Sequence, residues 1–184
     1  MRQLNWANLV TYLRLLLIPV VVWVYFSGLP HAPILAALLF AVASLSDLLD
    51  GYLARKLELT SDFGAFLDPV ADKLLVATVL IMLAVVYPSL MVPTLLIIGR
   101  EILISALREW MAGRGQRGAV AVAFSGKLKT TFQMIALGGL IAASEPLPQW
   151  IFSLGYWLLW VAAVLSLWSM MEYFRRAWGT LNQN

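Results

Sequence analysis

The sequence predicts an all-α, polytopic membrane protein, one domain over residues 1–184 with six transmembrane helices and cytoplasmic N- and C-termini. Three observations lead there. Hydrophobic residues make up 61% of the chain and charged residues 12%, with a mean hydropathy of +0.83, whereas soluble domains run about 45–50% apolar and about 25% charged. Six apolar stretches are each close to the ~20 residues that a bilayer crossing needs. All 13 basic residues fall at one side of those stretches.

The first stretch, about 8–27, follows a basic start. It is too long for a signal-peptide core, contains Arg14 and lacks a small-x-small cleavage site, so it reads as a retained helix. The others run about 33–54, 66–87, 91–111, 119–143 and 150–173. SGLPHAP, YPSLMVP, AGRGQRG and SEPLPQ supply turn chemistry between them. The polar tail RRAWGTLNQN is expected to fray into water. The loops at 27–33, 87–93 and 144–149 hold no Lys or Arg, and the positive-inside rule therefore places the opposite side in the cytoplasm. The net charge of +3 reflects this orientation and gives no reason to expect a nucleic-acid partner. With no cysteine and one histidine, His31, disulfides and Cys- or His-cluster metal sites are excluded.

Four carboxylates interrupt the apolar pattern. Asp47, Asp50, Gly51 and Ala54 follow i, i+3, i+4, i+7, which is one helical face, with Arg55 at its edge. Gly64, Asp68 and Asp72 follow i, i+4, i+8 on the next helix. The short connection predicts that these two helices pack antiparallel, with their acidic faces meeting near the cytoplasmic surface. Four uncompensated acids inside a membrane would cost roughly 10 kcal/mol, as much as the stability of a whole domain. They need water, partners or a cation. Oxygen donors without His or Cys suit hard divalent ions, and four carboxylates suffice for two. The plain structural alternative has Asp68 capping a helix that starts at Pro69, Asp50 paired with Arg55 or Lys56, and Asp72 solvated.

The pattern D-x2-D-G-x2-A-R-x8-G-x3-D-x3-D is met in full by Asp47, Asp50, Gly51, Ala54, Arg55, Gly64, Asp68 and Asp72. It resembles the signature of the CDP-alcohol phosphotransferase family, and the resemblance runs the length of the chain. NLVTYLR, GREILISALREWMA at 99–112 and GKLKTTFQM at 126–134 look like the bacterial branch whose acceptor is sn-glycerol 3-phosphate. The resemblance implies a six-helix homodimer among the lipids of the bacterial inner membrane, its active site open to the cytoplasm. It implies transfer of the phosphatidyl group from CDP-diacylglycerol to the acceptor, with Mg²⁺ or Mn²⁺, two ions, as cofactor. Asp47, Asp50, Asp68 and Asp72 would ligate metal, and Asp72 would also be the general base. Asn8, Thr11, Asp47, Gly51, Ala54, Arg55 and Gly64 would hold CDP-diacylglycerol.

A phosphorylated acceptor needs a cationic seat. Arg100 and Arg108 lie on the fourth helix, about 80° apart on an ideal wheel. Lys127 and Lys129 open the apolar part of the fifth, and Arg114 lies on the loop between. These five are the candidate glycerol 3-phosphate residues. The structural alternative makes Arg100–Glu101 and Arg108–Glu109 ion pairs and Arg114 a topology signal or lipid-headgroup contact. Gly138-Gly139 reads as a close-packing pair. The rival readings are a sister enzyme using an inositol phosphate, serine or phosphatidylglycerol, and, from a different class, a divalent-cation transporter.

Overall fold

In the computed structural model, residues 6–57, 62–114, 124–143 and 147–181 are described, with side-chain geometry at 11–46, 67, 69–114, 128–143, 147–175, 177 and 178. All the regular structure they contain is helical. The helices are α1 (Trp6–Phe26), α2 (Ala32–Leu57), α3 (Asp62–Val86), α4 (Met91–Gly113), α5 (Phe124–Ala142) and α6 (Gln149–Leu181), with a 3-10 turn at Pro88–Leu90. Three stretches are long and apolar enough to cross a membrane: Pro69–Val86, Pro88–Gly113 and Gln149–Arg175. The other three helices carry shorter apolar stretches, Thr11–Phe26, Ala32–Ser46 and Leu128–Ala142.

The boundaries follow local chemistry. Ser27 ends α1 by donating its Oγ to Val24 O at 2.7 Å. Gly28 and His31 then take left-handed φ values of 70° and 60°, which turn the chain into α2. Two ends depart from expectation. α3 starts at Asp62, so Pro69 lies inside the helix and Asp68 does not cap it. α6 continues through the tail to Leu181, because Tyr173 and Ala177 are buried against Ile104, Leu107 and Met111 of α4. That apolar contact repays the ordering of a segment whose composition alone suggests fraying.

α3 and α5 form the centre. α1, α2, α5 and α3 close one ring of four helices, and α3, α4, α6 and α5 close a second. The helix ends at which α2 and α3 are expected to meet, residues 47–57 and 62–66, have their side chains outside the described set. Among the described residues, α1 and α5 each touch both α2 and α3. The main core joins Phe40, Leu75, Leu80, Leu83, Ile97, Leu137, Leu140 and Leu159, all essentially inaccessible. The bundle exterior is as apolar as the core: Val85 is 71% exposed and Trp23 68%. Such a surface is unfavourable in water and suited to lipid.

Close helix approach occurs at Gly155 rather than at Gly138-Gly139. A Cβ on Gly155 would sit 2.9 Å from Leu140 Cγ and 3.2 Å from Ala136 O. One on Gly139 would meet Ile151 only at 4.0 Å, and one on Gly138 nothing within 4 Å.

Candidate active site

Chain direction brings the start of α1, the ends of α2, α4 and α6 and the starts of α3 and α5 to one end of the bundle. That end carries the charged residues. Asp47, Asp50, Gly51, Ala54 and Arg55 lie on the last turns of α2, and Gly64 and Asp68 on the first turns of α3. Asn8 and Lys127 lie on the first turns of α1 and α5. The side chains of these nine residues are outside the described set, so the structure supplies their helical register alone. Arg117 lies outside the described residues altogether. Thr11 is buried on α1, one turn before the buried Arg14.

Asp72 is described and half-buried on α3. Its charge attracts the ammonium of Lys129 on α5. Lys129 is itself buried, with a side chain 5% exposed, and forms an ion pair with Glu101 Oε1 on α4. The same oxygen accepts from Arg100 Nη1 at 2.9 Å. Arg100 Nη2 donates to Ser169 Oγ on α6 at 2.8 Å, and Ser169 Oγ in turn donates to Ser166 O at 2.9 Å. Tyr173, one turn further along α6, faces both arginines. Its ring centroid is 5.8 Å from Arg100 Cζ and 5.2 Å from Arg108 Cζ. Its hydroxyl accepts from Arg108 Nη2 at 2.8 Å. A polar path thus runs from Lys129 through Glu101 and Arg100 to Tyr173 and Arg108, linking α5, α4 and α6, with Asp72 of α3 near enough for its charge to act on Lys129.

Three of the five candidate acceptor residues, Arg100, Arg108 and Lys129, are on this path. The Arg100–Glu101 ion pair foreseen as a structural alternative is formed, and Glu101 bridges Lys129 as well. Arg108 turns to Tyr173. Arg114 lies at the end of α4, its guanidinium 4.4 Å from the centre of the Trp110 ring. Lys73, beside Asp72 in sequence, hydrogen-bonds Ser105 on α4. Sequence reasoning did not find Ser169 and Tyr173. Their signal was available: Ser166, Ser169 and Tyr173 follow i, i+3, i+7, a polar stripe on an otherwise apolar helix.

Among residues with described side chains no group of three His, Cys, Asp or Glu could hold a metal ion. The four aspartates remain the set whose chemistry fits one. They are hard oxygen donors at i, i+3 on α2 and i, i+4 on α3, in helix ends brought to the same end of the bundle.

An all-helical bundle with carboxylates and cations gathered at one end suits transfer of a phosphorylated group at a membrane surface, and comparison with known proteins gives the class. The chain belongs to the CDP-alcohol phosphatidyltransferase family, whose model matches residues 4–168. Its relatives narrow this further. It is 46% identical over 181 residues to a CDP-diacylglycerol–glycerol-3-phosphate 3-phosphatidyltransferase of Salmonella choleraesuis, covering 97% of this chain and 98% of that one. Proteins of the same name from Shigella flexneri serotype 5b and Escherichia coli K12 are 47% identical over 177 residues, covering 95% of this chain and 96% of theirs.

Proposed function

We propose that this chain transfers the phosphatidyl group of CDP-diacylglycerol to sn-glycerol 3-phosphate, giving phosphatidylglycerol phosphate and CMP. The observation that carries this reading is the near full-length match to enzymes of that name, in a chain whose eight signature positions are all intact. The proposed setting is the bacterial inner membrane, with six spans, both termini and the active site on the cytoplasmic side, and a homodimeric assembly. The basic end of the bundle supports the orientation and the apolar exterior supports the membrane setting.

Asp47, Asp50, Asp68 and Asp72 would hold two Mg²⁺ or Mn²⁺ ions, and such ions neutralise a diphosphate and stabilise a departing nucleotide oxygen. The chain's own groups do the rest. The last turns of α2, with Gly51 and Ala54 as its small residues and Arg55 at its edge, receive the CDP headgroup, beside Asn8 and Thr11 of α1 and Gly64 of α3. Asp72 accepts the proton of the attacking hydroxyl. A carboxylate is a weak base for an alcohol, so its position beside the reacting oxygen matters more than its strength. Arg108, Lys127 and Lys129, with Arg100 behind them and Arg114 at the rim, attract the acceptor's phosphate and hold its hydroxyl toward the donor phosphorus. A guanidinium matches phosphate oxygens in geometry as well as charge.

The test is CMP release by purified protein in mixed micelles containing CDP-diacylglycerol and Mg²⁺ or Mn²⁺. sn-Glycerol 3-phosphate, serine and an inositol phosphate are supplied in parallel. Release with glycerol 3-phosphate alone, abolished by a chelator, is expected. Release with a different acceptor would overturn the acceptor assignment. Mn²⁺ uptake into proteoliposomes without CMP release would overturn the enzyme.

A further inference from the structure

Two like-charged guanidinium groups lie over one buried aromatic ring, and the donor and acceptor roles above leave that ring without a task. Tyr173 is 2% exposed and packs with Ile104, Leu107, Met111 and Ala177. Its ring is thereby held against α4 by apolar contacts on two turns, so its hydroxyl occupies a defined place among the charges. We infer that Tyr173 is a positioning residue for the acceptor phosphate: it holds Arg108 in the orientation that binds the substrate and sets its separation from Arg100. This inference rests on the proposed acceptor site.

The two arginines are held differently. Arg100 is 8% exposed and spends both terminal nitrogens on the protein, Nη1 on Glu101 and Nη2 on Ser169. It is a strut. Arg108 is exposed, and its bond to Tyr173 uses one nitrogen of a multi-donor guanidinium. Arginine carries large rotamer entropy, which must be lost when it grips an anion. A hydroxyl that fixes one nitrogen beforehand removes part of that loss, which is the gain from preorganisation. The ring adds a second effect. Both cations lie within the ~6 Å at which an aromatic quadrupole attracts a cation, so the shared ring offsets their mutual repulsion before any phosphate arrives. Ser169, one turn earlier on α6, does the same for Arg100 by hydrogen bond. α6 thereby shapes the acceptor site from behind, through arginines that belong to α4.

Tyr173→Phe keeps the ring and the packing and removes the hydroxyl. Tyr173→Leu removes the ring's charge-facing surface as well. The Phe variant should raise the KM for sn-glycerol 3-phosphate about 3- to 10-fold, the range expected for one lost hydrogen bond. Its kcat and its KM for CDP-diacylglycerol should stay within about 2-fold. The Leu variant should raise the acceptor KM further, and the smaller effect of Phe is the partial rescue that a positioning role requires. A merely structural role would instead lower the active fraction and leave the acceptor KM unmoved. Arg108→Ala is measured in parallel. An unchanged acceptor KM in Arg108→Ala would remove the acceptor site itself. A raised KM in Arg108→Ala with none in Tyr173→Phe, or equal rises for both substrates in Tyr173→Phe, would overturn the positioning role alone. The Phe variant decides the matter even where the Leu variant fails to fold.

Discussion

Glu101 is more exposed than the two cations it joins, Arg100 and Lys129, and both depend on it. Its carboxylate is the anion shared by two buried cations, with Arg100 8% and Lys129 5% exposed at the side chain against 28% for Glu101 itself. Glu101→Gln keeps the shape and one acceptor oxygen and removes the charge. Breaking a fully buried ion pair from one side costs about 3–5 kcal/mol, because the partner is left as an uncompensated buried charge. Glu101 is partly exposed and water can replace some of what it gives, so we expect about 2–4 kcal/mol. For a chain of this size that corresponds to a fall in Tm of about 5–15 °C. The assay is thermal unfolding of the purified protein in detergent, followed by tryptophan fluorescence. The double variant Glu101→Gln, Lys129→Met removes one stranded cation and fills its volume with an apolar chain, and it should recover at least half of the loss. A Tm within about 2 °C of the parent for Glu101→Gln would refute the argument. So would a double variant less stable than Glu101→Gln alone, since the Lys129 ammonium could not then be the stranded charge.

Asp72→Asn should lower turnover by about 100-fold or more, the low end of what a positioned base contributes, while the Tm stays near the parent value. Activity within about 10-fold of the parent would take the base role from Asp72. Gly155→Ala should destabilise by about 1–3 kcal/mol, because the new methyl group meets Leu140 and a backbone carbonyl that cannot retreat. Gly139→Ala, with its nearest neighbours at 4.0 Å, should be neutral or slightly stabilising. Equal thermal shifts for the two glycines would contradict the helix approach described for α5 and α6.

Much of the helical layout is written in the local sequence. Turn-forming stretches such as SGLPHAP and YPSLMVP separate apolar segments of helical length, and the observed ends of α1, α2 and α4 fall within a few residues of those expected. The register of the four aspartates on α2 and α3 is likewise a matter of spacing. What could not be read depends on partners distant in sequence. α3 begins at Asp62, before Pro69, although a proline at the first helical position is the local signal for a start. α6 outlasts its polar tail because Ala177 and Tyr173 find α4. Gly155 is a close-approach site only because Leu140 and Ala136 lie opposite, information that neither glycine's neighbours contain. Glu101 could be recognised as a partner of Arg100 from adjacency, but its second partner, Lys129, is on another helix. The tyrosine that faces two arginines was hidden for the same reason, although the polar stripe containing it was visible.

The two rings that share α3 and α5 divide labour along the chain. The aspartate signature lies wholly on α2 and α3, in the first ring, and Arg100, Arg108, Ser169 and Tyr173 lie on α4 and α6, in the second. α4 and α6 therefore carry no position of the signature, and substitutions on them reach it only through α3 and α5. Under the proposed function, remodelling α4 and α6 would exchange one alcohol for another while the signature helices stay as they are. Divergence of substrate then becomes a matter of small steps on two helices, each taken by an ancestor that still works.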